Sequence, residues 1–318
     1  MNATDGPPGV PLGEPVRRED DILERIAAIV GRRNTPVGEV HVGDDAAVLA
    51  PFVGQTLVST DTAVWGVHLD ATLFPLEDLG FKAVAAAVSD LAAMGARARA
   101  IVVAVTAPPG TDLEELHRGI ADAASATDCP IVGGDLSVGR DVAVAVTVLG
   151  ECPGKGAVLR SGAQPGDQIL ITGPLGRSAA GLRLRRTGAG LDHPLVVAHR
   201  RPWPRLAEGV AARSAAVHAM MDVSDGLALD LHRLCDASAV GFELDDVPAA
   251  EGATAEEALS GGEDYELLIV TDAPARLDLI FHSRGLAAPL AIGRIVADRA
   301  TRGLRGAHLE RRGWQHSL

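Results

Sequence analysis

The chain has 318 residues, of which 47% are hydrophobic and 22% charged, so a sizeable core is expected and global disorder is excluded. Its formal net charge of −13 argues against a general affinity for nucleic acid or for an anionic membrane surface. Three isolated cysteines, no signal peptide and no apolar run of about 18 residues together predict a cytoplasmic protein without a membrane anchor.

The N-terminal half is predicted to contain helices and strands after a loose tail at residues 1–20, which are rich in Pro, Gly and charge. The clearest helix lies at 76–96, because its apolar residues recur every three or four positions and Gly95 is well placed to end it. The predicted elements are, in chain order, a helix at 20–30, a strand at 55–60 whose end is marked by Asp61, the helix at 76–96, a strand at 100–108, a helix at 112–125, and a pair of strands around a turn at 131–139 and 142–151.

A domain boundary is predicted near residues 151–166, where Gly and Pro are concentrated. The predicted domains are therefore residues 21–153 and residues 154–318. The second domain is predicted to contain a strand at 167–173, a helix at 227–237 and a strand at 265–272. Strands and helices in both halves predict an α/β or an α+β protein, and periodicity alone does not decide between these two classes.

Acidic residues recur beside Gly, Ser or Thr at the edges of apolar runs, where a scaffold presents side chains at the mouth of a cleft. They lie in GDDAAVL (Asp44, Asp45), STDT (Asp61), SDLAAMG (Asp90), GGDLSVG (Asp135), MDVSDGL (Asp222, Asp225) and SGGEDYEL (Glu263, Asp264). Asp90 belongs to an otherwise apolar helix, where a carboxylate is costly unless it is paired or binds a cation. Two ordinary interpretations stay open at this point: Asp44 and Asp45 form a solvated turn, and Asp90 caps an element or pairs with arginine.

Carboxylates without clustered His or Cys favour Mg²⁺ over zinc, and phosphate is the natural reason to gather several such ions. The chain therefore predicts metal-assisted phosphoryl chemistry. The Walker A motif, the protein-kinase motifs, GxSxG and HExxH are all absent from the sequence. The glycine-rich stretch at 173–181 is either a phosphate loop or a plain turn between a strand and a helix.

These motifs together resemble the thiamine-monophosphate kinases, a family within the superfamily of aminoimidazole ribonucleotide synthetase. The resemblance runs from about residue 20 to the C-terminus, in the order and spacing typical of the family. The segments that carry it are GDDAAVL, STDT, GVHLD, SDLAAMGA, GGD, RSGAQPGD, MDVSDGL, SGGEDYEL and a near-terminal GW. The resemblance implies a two-domain fold with a mixed sheet covered by helices in each domain. It also implies a homodimer built through the N-terminal domains.

The implied activity is the ATP-dependent phosphorylation of thiamine monophosphate to thiamine diphosphate, assisted by several Mg²⁺ ions. The implied metal ligands are Asp45, Ser59, Thr60, Asp61, Asp90, Asp135, Asp222 and Asp225. The implied nucleotide contacts are His117, Gly134, Asp135, Arg160 and Ser224. The implied contacts to thiamine monophosphate are His68, Glu263 and Trp314. The chain departs from the family pattern at Trp65, at Leu69 in place of Phe, and at Leu136 in place of Thr.

No residue is assigned as a general base, since the second pKa of a phosphate monoester is about 6 and the acceptor is already largely a dianion at neutral pH. Direct in-line transfer then requires mainly positioning and charge neutralisation. Two alternatives remain. One is another superfamily enzyme, such as a selenophosphate or aminoimidazole ribonucleotide synthetase, and the other is a non-enzymatic Ca²⁺- or Mg²⁺-binding scaffold.

Overall fold

The computed structural model describes residues 19–30 and 35–315. The predicted tail lies outside this part of the chain, except for its last two residues, which begin the first helix. Within the described ranges the helices are α1 (Glu19–Val30), α2 (Leu76–Ala93), α3 (Leu113–Ala126), α4 (Arg177–Arg186), α5 (Pro194–Arg200), α6 (Leu206–Ser214), α7 (Leu227–Ser238), α8 (Ala255–Ser260) and α9 (Pro274–Ser283). The strands are β1 (Gln55–Val64), β2 (Arg97–Ala107), β3 (Ile131–Val138), β4 (Ala143–Cys152), β5 (Gln168–Ile171), β6 (Ala219–Asp222), β7 (Gly241–Leu244), β8 (Leu267–Thr271), β9 (Leu290–Val296), β10 (Arg302–Leu304) and β11 (Ala307–His308).

The first sheet has the strand order β1-β4-β2-β3 and combines parallel with antiparallel pairs. The predicted strand pair formed by β3 and β4 is therefore wrong, because β2 lies between them. The turn at 139–142 crosses the end of β2 and is fixed there by a hydrogen bond from the Gly139 amide to the Ala107 carbonyl. Local sequence shows two strands and a turn, but not a third strand inserted between them. β1 also continues to Val64, so Asp61 lies within the strand and not at its end.

The second sheet has the order β11-β10-β7-β9-β5-β8-β6, and only the pairing of β10 with β7 is parallel among its described pairs. Strands of the two sheets come from residues 55–152 and 168–308 respectively. Each sheet contains both parallel and antiparallel strand pairs, and helices occur in both halves of the chain. These features confirm the predicted mixed α/β class.

Helix α2 lies between the two sheets and contributes to the core on both sides. Its residues Leu79 and Val84 are buried with the first sheet, whereas Ala92 packs with Met220 and Ile269 of the second. Helices α2 and α3 approach each other closely where α3 has a glycine. A β-carbon on Gly119 of α3 would lie only 1.7 Å from the Glu77 carbonyl oxygen of α2. The helix ends at Ala93, three residues before the predicted end.

An ion-pair cluster joins the start of α2 to the end of α5. Asp78 is completely buried, and its Oδ1 accepts hydrogen bonds from Arg200 Nη1 at 2.6 Å and from Arg201 Nε at 2.7 Å. Arg201 also bonds Glu77, as well as Asp122 of α3 at 3.1 Å. This cluster fixes the position of α5 relative to α2, and both helices contribute residues to the cleft described next.

Candidate active site

A cleft of about 600 Å³ opens between the two sheets, and residues of both halves line it. Its walls come from β1, α2, the loop after β6, the loop before β8 and the C-terminal segment. The sequence-predicted residues that line it are Thr60, Asp61, His68, Asp90, Asp222, Ser224, Asp225, Glu263 and Trp314. Segments more than 250 residues apart in the chain thus meet at one site, as the resemblance implies.

Ser59, Asp61 and Asp90 form the acidic wall contributed by the first half. Ser59 and Asp61 alternate along β1 with the same parity as the buried Leu57 and Ala63, so they face α2. The Ser59 hydroxyl donates a hydrogen bond to the Asp90 carboxylate. Burial raises the pKa of Asp90 and the charge of Asp61 raises it further, while the Ser59 hydrogen bond and the charge of Arg160 oppose the shift.

Asp222 brings a buried carboxylate to the half-buried Asp90 from the end of β6. It is 6% exposed and accepts a hydrogen bond of 2.6 Å from the hydroxyl of Ser89, the residue before Asp90 on α2. Burial raises the pKa of Asp222 to about 7, and the charges of Asp90 and Asp230 contribute. Acids from both halves are therefore close enough to repel one another, a situation that a cation between them would relieve.

Asp225 already has a partner, since its carboxylate pairs with Arg233 of α7. The buried Asp230 supports this loop by accepting hydrogen bonds from the backbone amides of Ser224, at 3.1 Å, and Asp225, at 2.9 Å. A metal ion bound by Asp225 would have to share that carboxylate with Arg233.

Six of the predicted residues do not line the cleft. Ser59 bonds Asp90 and Arg160 is exposed, and the other four are Asp45, Asp135, Gly134 and His117. Asp45 lies in an exposed turn, where its amide donates to the Asp44 carboxylate. Asp61 and the buried Val103 both pair with Val146, so they lie on the same face of the first sheet. Asp135 pairs with Ala104, the residue after Val103, and therefore projects from the opposite face. The remaining two are Gly134, whose β-carbon would lie 2.1 Å from the Val103 carbonyl oxygen, and His117, which is buried on α3 with Nδ1 2.7 Å from the Leu113 carbonyl oxygen.

The same cleft is lined by the three residues predicted to contact thiamine monophosphate, His68, Glu263 and Trp314. His68 Nδ1 accepts a hydrogen bond of 3.0 Å from the Val64 amide, which leaves the neutral ring with its proton on Nε2. Glu263 and Tyr265 have φ values of 57° and 51°, in the left-handed region that is unfavourable for residues with a β-carbon. Trp314 is held beside them by a hydrogen bond of 2.9 Å from its amide to the Asp225 carbonyl.

The backbone strain at Glu263 and Tyr265 is compensated by hydrogen bonds from their amides to the carbonyls of Ser224 and Val223. These bonds join the loop before β8 to the loop after β6. The strand predicted at 265–272 begins only at Leu267, because this loop leaves the extended conformation. Burial raises the pKa of Tyr265 well above its usual value, and neighbouring carboxylates including Asp61 and Asp222 add to that shift.

The sequence interpretation missed several residues that line or support the cleft, namely Lys82, Arg186, His199 and Tyr265. Lys82 did leave a signal, since it is one of only two lysines and lies in an apolar helix. His199 left none, because a single histidine in a short helix has no distinctive pattern. Burial lowers the pKa of His199 to about 2, with the charge of Lys82 contributing, so this imidazole is neutral.

The glycine-rich stretch at 173–181 is a plain turn after β5 that continues into the first residues of α4. Its backbone amides are already occupied, because the carboxylate of Asp264 accepts hydrogen bonds from Gly176 at 2.6 Å and from Ser178 at 3.1 Å. A phosphate at this helix end would have to displace Asp264. The phosphate-loop alternative therefore has no support here.

The carboxylates of Asp61, Asp90 and Asp222 fit Mg²⁺ in chemistry, since they are hard oxygen donors. They also repel one another at a partly desolvated site, as the raised pKa values of Asp90 and Asp222 indicate. Within residues 19–30 and 35–315, no three His, Cys, Asp or Glu side chains are gathered closely enough to chelate a metal by themselves. The remaining ligands would be water and phosphate oxygens, which is usual for Mg²⁺.

Comparisons with known proteins match both halves of the chain. Residues 43–152 match the family model of the AIR synthase related protein N-terminal domain, and residues 164–304 match that of the C-terminal domain. A thiamine-monophosphate kinase of Mycobacterium tuberculosis H37Rv is 37% identical over 282 residues, covering 84% of this chain and 83% of the relative. The chain belongs to the thiamine-monophosphate kinase family. The family assigned from the sequence motifs and the expected class of enzyme, a kinase, are therefore confirmed.

Solved structures of the thiamine-monophosphate kinase family share the architecture of most of the chain. The enzyme of Stenotrophomonas maltophilia K279a has a TM-score of 0.78 at 32% identity, covering 90% of this chain and 96% of the other. AaThiL, solved in complex with AMPPCP and TMP, has a TM-score of 0.75 at 27% identity, covering 94% of this chain and 97% of its own. Among the described residues of this family member, no helix combines the length and hydropathy required to cross a membrane.

Proposed function

We propose that the protein transfers the γ-phosphoryl group of ATP directly to the phosphate of thiamine monophosphate, forming thiamine diphosphate and ADP. The observation that carries the proposal is the meeting of Asp61, Asp90 and Asp222 with Glu263 and Trp314 in one cleft. The names of the relatives and the AMPPCP and TMP bound to AaThiL support the same pair of substrates.

Phosphoryl transfer at this site requires positioning of two anions more than it requires a base. The acceptor phosphate is largely a dianion at neutral pH and is nucleophilic without proton removal. Asp61, Asp90 and Asp222 would hold Mg²⁺, with Asp45, Ser59, Thr60, Asp135 and Asp225 as the further proposed ligands. When bound, Mg²⁺ neutralises phosphate charge and orients the oxygens for in-line attack.

The nucleotide is proposed to contact Arg160, Ser224, Gly134, Asp135 and His117. The charge of Arg160 lowers the pKa of Asp90, and the exposed guanidinium is proposed to donate paired hydrogen bonds to a phosphate. Asp135 projects from the opposite face of the first sheet and does not line the cleft. Gly134 pairs with Val103 and lies on the same face as Asp61, but it does not line the cleft either. The proposed role of Asp135 therefore depends on the homodimer.

The open face of the first sheet is the surface we propose for the homodimer, with residues 21–153 as the dimerising domain. Val58 on this face is 69% exposed, and its neighbours Leu149 and Val102 are only partly covered. We expect Val58→Asp to convert a dimer into a monomer, because it would bury a carboxylate in an apolar contact. Light scattering after size-exclusion chromatography measures the mass.

The matched control for the dimer is Leu279→Asp, since Leu279 is an equally exposed apolar residue, at 68%, on α9 of the second half. This variant should keep the wild-type mass. A monomeric wild-type protein, or a Val58→Asp variant that stays dimeric, would refute the proposed interface.

Trp314 is proposed to stack on the positively charged thiazolium ring, an interaction worth about 0.5–2 kcal/mol. We expect Trp314→Ala to raise the KM for thiamine monophosphate about 2- to 30-fold, with little change in the KM for ATP. The control is Trp203→Ala, because Trp203 is also half exposed, at 52% against 53% for Trp314, and lies outside the cleft lining. Equal effects of the two variants would exclude stacking by Trp314.

The decisive experiment incubates the purified protein with ATP, Mg²⁺ and thiamine monophosphate and identifies the products by chromatography and mass spectrometry. Thiamine diphosphate and ADP in equal amounts are expected. Inorganic phosphate without thiamine diphosphate would defeat the kinase proposal, and stabilisation by cations without turnover would favour a binding scaffold. The need for ATP and the three buried cysteines without disulfides fit a cytoplasmic enzyme.

A further inference from the structure

Lys82 of α2 is a buried cation that contacts both parts of the proposed thiamine monophosphate site. Its side chain is 3% exposed, and its Nζ lies 2.7 Å from Glu263 Oε1. The same ammonium donates a hydrogen bond of 3.1 Å to the backbone carbonyl of His68. One side chain of the central helix thus ties the loop after β1, in the first half, to the loop before β8, in the second.

Core packing does not explain a lysine at this position. Removing an ammonium from water costs several kcal/mol, and well-packed apolar residues often replace a buried ion pair without loss of stability. The neighbours of Lys82 in α2 are apolar, with Phe81 and Ala83 buried beside it. The second lysine, Lys155, is exposed in the connection between the two halves, as is usual for this residue.

Glu263 is also constrained through its other oxygen. Oε2 lies 3.5 Å from the Ser178 hydroxyl and 3.6 Å from His199 Nδ1. The Ser178 hydroxyl oxygen and His199 Nδ1 are themselves 2.9 Å apart. His199 is neutral, so Lys82 supplies the formal positive charge that balances Glu263 in this group of contacts. Glu263 is 31% exposed and lines the cleft, so one edge of its carboxylate remains available to a ligand.

We propose that Lys82 is a positioning residue for the proposed kinase reaction. It holds the Glu263 carboxylate and the His68 backbone in the geometry that receives thiamine monophosphate. Because Lys82 balances the charge of Glu263, the carboxylate acts as an oriented hydrogen-bond acceptor and not as an unbalanced counter-ion of the thiazolium. Lys82 does not line the cleft and acts through Glu263. The inference rests on the proposed function and deepens it.

A double-mutant cycle tests whether Lys82 acts through Glu263. The KM and kcat for thiamine monophosphate and for ATP are measured for wild type, Lys82→Met, Glu263→Gln and the double variant. We expect each single variant to raise the KM for thiamine monophosphate about 10- to 100-fold, as for the loss of a charge-assisted hydrogen bond, and the KM for ATP less than about twofold. The double variant should be no worse than Glu263→Gln alone, because the two side chains form one unit.

Two further variants separate positioning from folding. Lys82→Arg keeps a cation and should recover part of the affinity for thiamine monophosphate, whereas Lys155→Met removes the only other lysine and should match wild type. If Lys82→Met fails to fold, the double variant, which removes both charges, is compared directly with Glu263→Gln.

Additive effects in the cycle would overturn the inference, as would equal increases in both KM values or a Lys82→Met variant with wild-type KM. Each of these results applies when the wild-type protein makes thiamine diphosphate in the same assay. They would reject the role of Lys82 while leaving the proposed reaction intact. A wild-type protein that makes no thiamine diphosphate would reject the reaction itself and the inference with it.

Discussion

Asp61→Asn should lower kcat for phosphoryl transfer by about 10²- to 10³-fold while the free energy of unfolding stays close to wild type. Asp61 is exposed at the cleft and lies near Asp90, so its carboxylate can meet a cation without being part of the core. Asparagine keeps the shape and one oxygen but removes the charge that is proposed to attract Mg²⁺. The rate is measured over a range of Mg²⁺ concentrations, together with urea denaturation.

The Asp61 variant should also require more Mg²⁺ for half-maximal rate. If Mg²⁺ binds as proposed, it should stabilise the wild type, and the variant should lose this stabilisation. Asp278→Asn is the matched control, since Asp278 is an exposed aspartate on α9 outside the cleft lining. A near-normal rate of Asp61→Asn at ordinary Mg²⁺ would remove Asp61 from the proposed metal site. If a chelator of Mg²⁺ leaves the rate of the wild type unchanged, Mg²⁺ has no part in the mechanism.

The sequence was sufficient to predict the elements with strong local patterns. The apolar period of α2 and the alternating strands β2 and β4 were found within a few residues of their ends. The short strands β6 and β7 and the short helices α5 and α8 were not predicted, because four to seven residues carry too little periodicity. The pairing partner of β3 was wrong for a different reason, since strand order depends on contacts distant in the chain.

The candidate site was predictable as a set of motifs but not as a network of contacts. The motifs identified Asp61, Asp90 and Asp222, and the fold brings all three to one cleft. The motifs did not indicate that Arg233 pairs with Asp225, because nothing in the spacing of eight residues specifies that contact. Supporting residues of this kind are recognised only when the distances between side chains are known.

Asp78→Ala should lower the free energy of unfolding by about 3–5 kcal/mol, the typical cost of breaking a buried ion pair from one side. Asp78 is fully buried and accepts from both Arg200 and Arg201, so its removal leaves two partly buried guanidiniums without their shared acceptor. Asp122→Ala is the matched control, because Asp122 also bonds Arg201 but is 54% exposed. That loss should cost less than about 1 kcal/mol.

The same substitution should weaken activity, since the cluster around Asp78 joins α2, which carries Lys82 and Asp90, to α5, which carries His199. Loss of the join lets the helices move apart, so kcat/KM for thiamine monophosphate should fall at temperatures where Asp78→Ala is still folded. Urea denaturation and steady-state kinetics at one temperature measure the two effects. A variant as stable as wild type would show that the remaining acceptors of Arg201, Glu77 and Asp122, are sufficient and that the bonds to Asp78 do not join the two halves.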